Sequence, residues 1–114
     1  MYAKLGRLFQ RYRLLLCPTL PVPSVKAGED YVDTQLVING KPQAGIEHWL
    51  MTICFNMMSR CPVMSVPSGL ATTGVPTGLS IVGRTYDDVS VFRAAAAFER
   101  AQPWLDTPAR RPKL

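Results

Sequence analysis

Few side chains in this chain are equipped for chemistry. There is one Ser-Gly pair (Ser68-Gly69), a single histidine (His48), four lysines, and three cysteines at Cys17, Cys54 and Cys61. A serine becomes a nucleophile only with a base in hydrogen-bond reach and N–H groups placed to receive an oxyanion. Ser68 sits at a strand end with no glycines around it beyond Gly69. Lys4, Lys26, Lys41 and Lys113 fall in polar settings, with no sign of the burial that would lower an amine's pKa. His48 has no local partner to orient it as a general base and reads as an exposed residue at a helix start. The cysteines are odd in number and lack metal-ligand spacing, which points to free thiols in a reducing, cytoplasmic compartment. Cys54 shares helical spacing with Leu50 and Met57 and is expected in the core. Cys17 and Cys61, next to Pro18 and Pro62, are expected to behave as buried small hydrophobes. No metal or organic cofactor is implied.

The elements that must position these groups are clearest over residues 61–98. Val63 to Val66 alternates weakly and is expected to end at Pro67, which lacks the N–H to continue a ladder. The run Thr73-Gly74-Val75-Pro76 supplies turn chemistry. Residues 77–82 put Leu79 and Ile81 on one face and Gly78, Ser80 and Val82 on the other, largely free of charge. A strand apolar on both faces is covered on both sides, as in the middle layer of an α/β/α sandwich. Thr85 with Asp88 three residues on has capping-box spacing. The Ala-rich helix behind it shows Val91, Phe92, Ala95 and Phe98 as an inner stripe. Upstream, the pattern predicts an amphipathic helix over 2–12, a strand over 13–17, a Pro-rich loop over 18–30 and a hairpin within 31–43. The hairpin rests on Asn39-Gly40, a type I′ turn signal. A helix is expected over 46–58, with Ile46, Leu50, Ile53 and Met57 on one face.

The length suits one small domain with a modest core. A hydrophobic fraction of 47% against 18% charged residues argues against disorder. The net charge of +5 is spread over the first helix and the C-terminal end. It forms no Lys/Arg run interleaved with aromatics, so no nucleic-acid partner is expected. No apolar run reaches spanning length and the start of the chain has no signal-peptide core, so no membrane partner is expected either.

The run PVMSVPSGL…GVPTGLSIVGRTYDDVSVFRAAAAFE resembles the C-terminal end of the amidase signature family. That family closes with a Pro-x-x-Ser-Val-Pro-x-Gly strand, a Gly-x-Pro-x-Gly strand and a helix opened by acidic residues. Residues 12–23 (YRLLLCPTLPVP) resemble its strand leading to a Pro-Thr loop, and Phe55-Asn56 its Phe-Asn helix end. The resemblance implies an α/β fold, specifically the C-terminal piece of an α/β/α sandwich with a mixed sheet. It implies a parent that hydrolyses amide C–N bonds of a small-molecule substrate through a Ser-Ser-Lys centre in a Gly/Ser-rich loop. No such loop is present in this sequence, so the chain is expected to be inactive alone. Its contribution would be structural, with Pro18, Thr19, Trp49, Phe55 and Asn56 as candidates for one wall of the substrate cavity. Where amidotransferase-type relatives place an acidic residue to hold the substrate amine, Trp49 stands nearest in this chain, which favours an apolar or aromatic amide. Residues 1–105 are expected to form this segment and 106–114 a flexible tail. Open sheet edges and uncovered apolar patches predict a homo-oligomer. The rival expectation is a stand-alone binding or assembly protein derived from such a tail.

Overall fold

The structure, a computed structural model, describes residues 2–45, 49–58 and 60–111. A three-stranded antiparallel sheet orders β1 (Leu15–Pro18), β5 (Pro76–Val82) and β4 (Val63–Leu70), with β5 in the middle. A separate two-stranded sheet pairs β2 (Leu36–Ile38) with β3 (Lys41–Gln43). The helices are α1 (Tyr2–Arg11), α2 (Ile53–Met57) and α3 (Asp88–Ala101), and a 3-10 turn closes the described chain at Pro108–Arg110. Every ladder among the described residues is antiparallel, so a mixed sheet would need a strand that these residues do not supply.

The period-two pattern in β5 sorts its side chains between two cores. Val82, fully buried, joins Leu5 and Phe9 of α1, Phe55 and Met58 of the α2 region, and Cys61. Ile81, 2% exposed, faces the opposite way and joins Val66, Val91 and Ala95 beneath α3. One strand thus separates two helical layers, as its charge-free faces predict. Burying each of these aliphatic side chains stabilises the fold by roughly 1.5–3 kcal/mol. Gly83, just past β5, is where α3 comes closest. A Cβ there would stand 2.5 Å from Val91 Cγ2 and 3.0 Å from Pro62 Cγ, so only a bare backbone fits.

Four expectations need correction. β4 does not stop at Pro67 but runs on to Leu70. The Gly83 N–H donates to the Pro62 carbonyl at 2.9 Å. In the alternation this sets, residues 63, 65 and 67 aim their backbone groups away from β5, toward the free edge. There Pro67 forfeits no ladder bond. The α3 cap is Asp87, not Thr85: the Asp87 carboxylate accepts from the Ser90 N–H at 3.3 Å. That bond holds the Asp87 carboxyl below its usual range, against some desolvation and with help from Arg84 and Arg13. Thr85 instead lies 3.8 Å from the Cys61 thiol. Phe92 drops out of the α3 stripe at 63% exposure, because one residue on from Val91 is about 100° around the helix, off the face that carries Val91, Ala95 and Phe98. Finally, the helix expected over 46–58 is regular only at Ile53–Met57, after a turn over residues 49–52. Its expected inner residue Met57 is exposed, whereas Phe55 and Met58 are buried. Ile46, Glu47 and His48 lie outside the described residues.

The hairpin is confirmed. Asn39 and Gly40 take φ of 50° and 75°, the left-handed pair a type I′ turn requires, and Ile38 faces Lys41 across it.

Candidate functional site

Where β1 ends, residues Pro18 and Thr19 turn the chain across the start of β5. The Thr19 N–H donates to the Gly78 carbonyl at 3.2 Å and its hydroxyl donates to the same oxygen at 3.3 Å. A Cβ at Gly78 would stand 2.8 Å from Thr19 Oγ1, 2.9 Å from Thr19 Cγ2 and 3.3 Å from Ser65 Oγ. The glycine inside β5 is therefore a seat cut for Thr19. From this seat the Pro-rich segment 20–23 forms one side of an open cleft of about 330 Å³. The other side is Thr77, Gly78 and Leu79 of β5 with Ser68 of β4.

Ser68 reaches the cleft through an irregularity in the ladder. Pro67 faces Gly78 and Gly69 faces Thr77, leaving Ser68 as the extra residue of a β-bulge. Gly69 takes a φ of 147°, a backbone that L side chains rarely adopt. The bulge re-aims Ser68, whose hydroxyl pairs with that of Thr77 at 2.9 Å. Its carbonyl accepts from Gln102 Nε2 at 3.4 Å. Among the described residues no lysine, histidine or carboxylate lines the cleft. Hydroxyls paired with one another and with backbone can orient a polar ligand, but no described residue lining the cleft would take a proton from Ser68.

The expected cavity residues separate into two groups. Pro18 and Thr19 line the cleft together. Trp49 is buried elsewhere, edge-on to Tyr31 with ring centres 5.9 Å apart and planes at 72°. Tyr31 in turn donates to the Lys26 carbonyl at 2.8 Å, and Lys26 pairs with Glu29 at 2.9 Å, so Trp49 anchors the loop ahead of β2. Phe55 belongs to the core around Val82. The side chain of Asn56 lies outside the described residues. Ser68 and Thr77 were not among the expected cavity residues. The signal for them was the Pro-Ser-Gly sequence, a bulge former inside an otherwise alternating strand.

The thiols behave as apolar packing. Cys61 is buried, and Cys17 and Cys54 pack against the same core. Burial, and secondarily the neighbouring Cys54, push the Cys17 thiol up, away from the nucleophilic thiolate. Among the described residues no cluster of histidine, cysteine or carboxylate side chains could hold a metal ion, and no helix is long and apolar enough to cross a membrane.

The amidase family model matches residues 1–92. Over 99 residues, 87% of this chain, the sequence is 35% identical to a glutamyl-tRNA(Gln) amidotransferase subunit from Thermosynechococcus vestitus. Over 103 residues, 90% of this chain, it is 37% identical to the corresponding protein of Granulibacter bethesdensis. The chain spans only 19% of the length of each of these relatives. Among solved structures, a bacterial aryl acylamidase of the amidase signature enzymes superposes with a TM-score of 0.75 at 40% identity. That match covers 98% of this chain and 23% of the other. A family match through residue 92, joined to a superposition over nearly every residue, places this chain in the amidase family.

Proposed function

We propose that the chain supplies the C-terminal sheet and one wall of the substrate cavity of an amide C–N hydrolase, and that it does not turn over amides alone. The observation that carries this reading is the cleft at Thr19 and Gly78. It is a concavity with three hydroxyl residues in its wall, and among the described residues lining it no base stands beside Ser68. An acyl-transfer centre needs that base and a set of oxyanion donors. The substrate class we favour is an apolar or aromatic amide. Support comes from the likeness to an aryl acylamidase.

Two measurements on the chain test this reading together. A fluorophosphonate probe should not label it, and 4-nitroacetanilide should release no 4-nitroaniline above the buffer rate. Acetanilide titrated into the isotopically labelled chain should move the amide signals of Thr19, Thr77 and Gly78. Labelling abolished by Ser68→Ala would overturn the claim of inactivity. Amide shifts confined to other regions would overturn the cavity assignment.

We also propose that the chain self-associates as a two-fold dimer. Leu16, 58% exposed, shares a sheet face with Ile81, and Phe92 on the α3 above that face is likewise exposed. Closed two-fold pairing is the commonest way to cover like apolar surfaces. Light scattering behind size exclusion at micromolar concentration should give twice the chain mass, and a clean monomer would refute it.

A further inference from the structure

The segment that follows α3 folds back on the sheet, and a single indole marks its path. Trp104 is half-buried and borders three adjoining hollows. The first is the apolar groove of about 420 Å³ between β4 and α3, walled by Met64, Val66, Ala95 and Phe98. The second lies over Pro67, Thr77 and Gly78, and the third at the tip of the β4–β5 hairpin beside Leu70 and Gly74. Leu105 enters the groove with it.

Several contacts hold this segment in place. The Arg110 guanidinium lies 4.4 Å from the centre of the Trp104 ring, inside cation–π range. Arg111 Nε donates to the Leu105 carbonyl at 2.7 Å, closing the segment on itself through the Pro108–Arg110 turn. At its root, Gln102 caps the end of α3 through its N–H to the Phe98 carbonyl and donates its side chain to the Ser68 carbonyl. Both side-chain hydrogen bonds are exposed, so the arrangement is ordered but cheap to open.

We propose that residues 103–111 form a displaceable strap. Trp104 and Leu105 occupy one side of the β4–α3 groove, and Arg110 stacked on the indole is the clasp that keeps them there. In the closed state the segment forms one wall of the groove. In the open state that wall is gone, and Met64, Val66 and Phe98 gain exposure to solvent.

Labelling the chain with 5-fluorotryptophan tests this on the native protein, the Trp104 fluorine signal being assigned by its loss in Trp104→Phe. A docked indole should show a solvent isotope shift, between light and heavy water, well below that of the urea-unfolded chain. Arg110→Ala should move that shift toward the unfolded value and raise binding of an anilinonaphthalene dye several-fold, with the far-ultraviolet circular dichroism unchanged. A full isotope shift for Trp104 in the folded chain would overturn the strap. An Arg110→Ala variant with unchanged shift and dye binding would overturn the clasp and the proposal with it.

Discussion

Residues 63–101 and residues 19–60 are built by different rules. The first stretch is two long neighbouring strands and a helix that returns over them; one face of its sheet packs under its own helix, while Val82 on the other face reaches α1 and α2. Ile81, Val82 and Val91, buried to within 2% exposure, all lie in it. The second holds two three-residue strands, a five-residue helix and a loop pinned by the Tyr31–Trp49 pair and the Lys26–Glu29 bridge. Its apolar residues Val32, Val37 and Met57 stay exposed. A stretch with a sustained hydrophobic period forms long elements that read directly from its sequence. One whose apolar residues are scattered keeps short elements, and only some of its side chains, such as Trp49, Phe55 and Met58, are buried.

The contrast is broken most directly at the centre of the first region. Ile81→Ala should destabilise the chain by roughly 2–5 kcal/mol, as buried aliphatic truncations do. Val37→Ala in the β2–β3 hairpin should stay within about 0.5 kcal/mol, the range for exposed sites. Chemical denaturation of both variants checks the pair, and equal losses would mean that Val37 is packed as tightly as Ile81.

Gly78→Val should cost about 1–3 kcal/mol by overpacking against Thr19. Combining Gly78→Ala with Thr19→Ala should recover part of the Gly78→Ala loss, since the clashing Oγ1 and Cγ2 are then gone. A double-mutant cycle that is strictly additive would show that Thr19 is not seated there.

A smaller effect is expected at the α3 cap. The Asp87 carboxyl is held below its unfolded value, so its stabilisation is complete above the ordinary Asp pKa of about 3.9. It fades as the pH falls through the lowered folded value. Asn is also a good cap, so Asp87→Asn should preserve the melting midpoint at pH 7 and flatten its fall below pH ~4. An unchanged acid limb in the variant would place the capping elsewhere. Ser68→Ala removes one hydroxyl pair and should lower stability by about 1 kcal/mol or less, read from the denaturation midpoint.

Much of the α/β layering was legible in the sequence because period two in β5 and the Ala-rich helix each declare a face. The hairpin turn was legible because Asn39-Gly40 tolerates positive φ where other pairs do not. The cap was misread by two residues because Thr85-x-x-Asp88 and Asp87-x-x-Ser90 offer the same spacing, and only the chain's path after Gly83 decides between them. Pro67 was read as a stop because a sequence does not say which way a proline's nitrogen points. In the site, Thr19 was expected through the family's Pro-Thr loop. Ser68 and Thr77 depended on a one-residue slip in strand register, which Pro-Ser-Gly permits and hydrophobic alternation does not show.

That slip also bears on how the protein behaves in a crowded solution. Among the described residues β4 is an eight-residue strand with one side unpaired, long enough to template the addition of a foreign strand. At its midpoint stand Pro67, with no hydrogen to offer outward, then the extra Ser68 and a glycine at φ 147°. An incoming strand can match the register before the bulge or after it, but not both. The residues that aim Ser68 into the cleft therefore also interrupt the template, and they divide a long sticky edge into two stretches too short to seed a fibril.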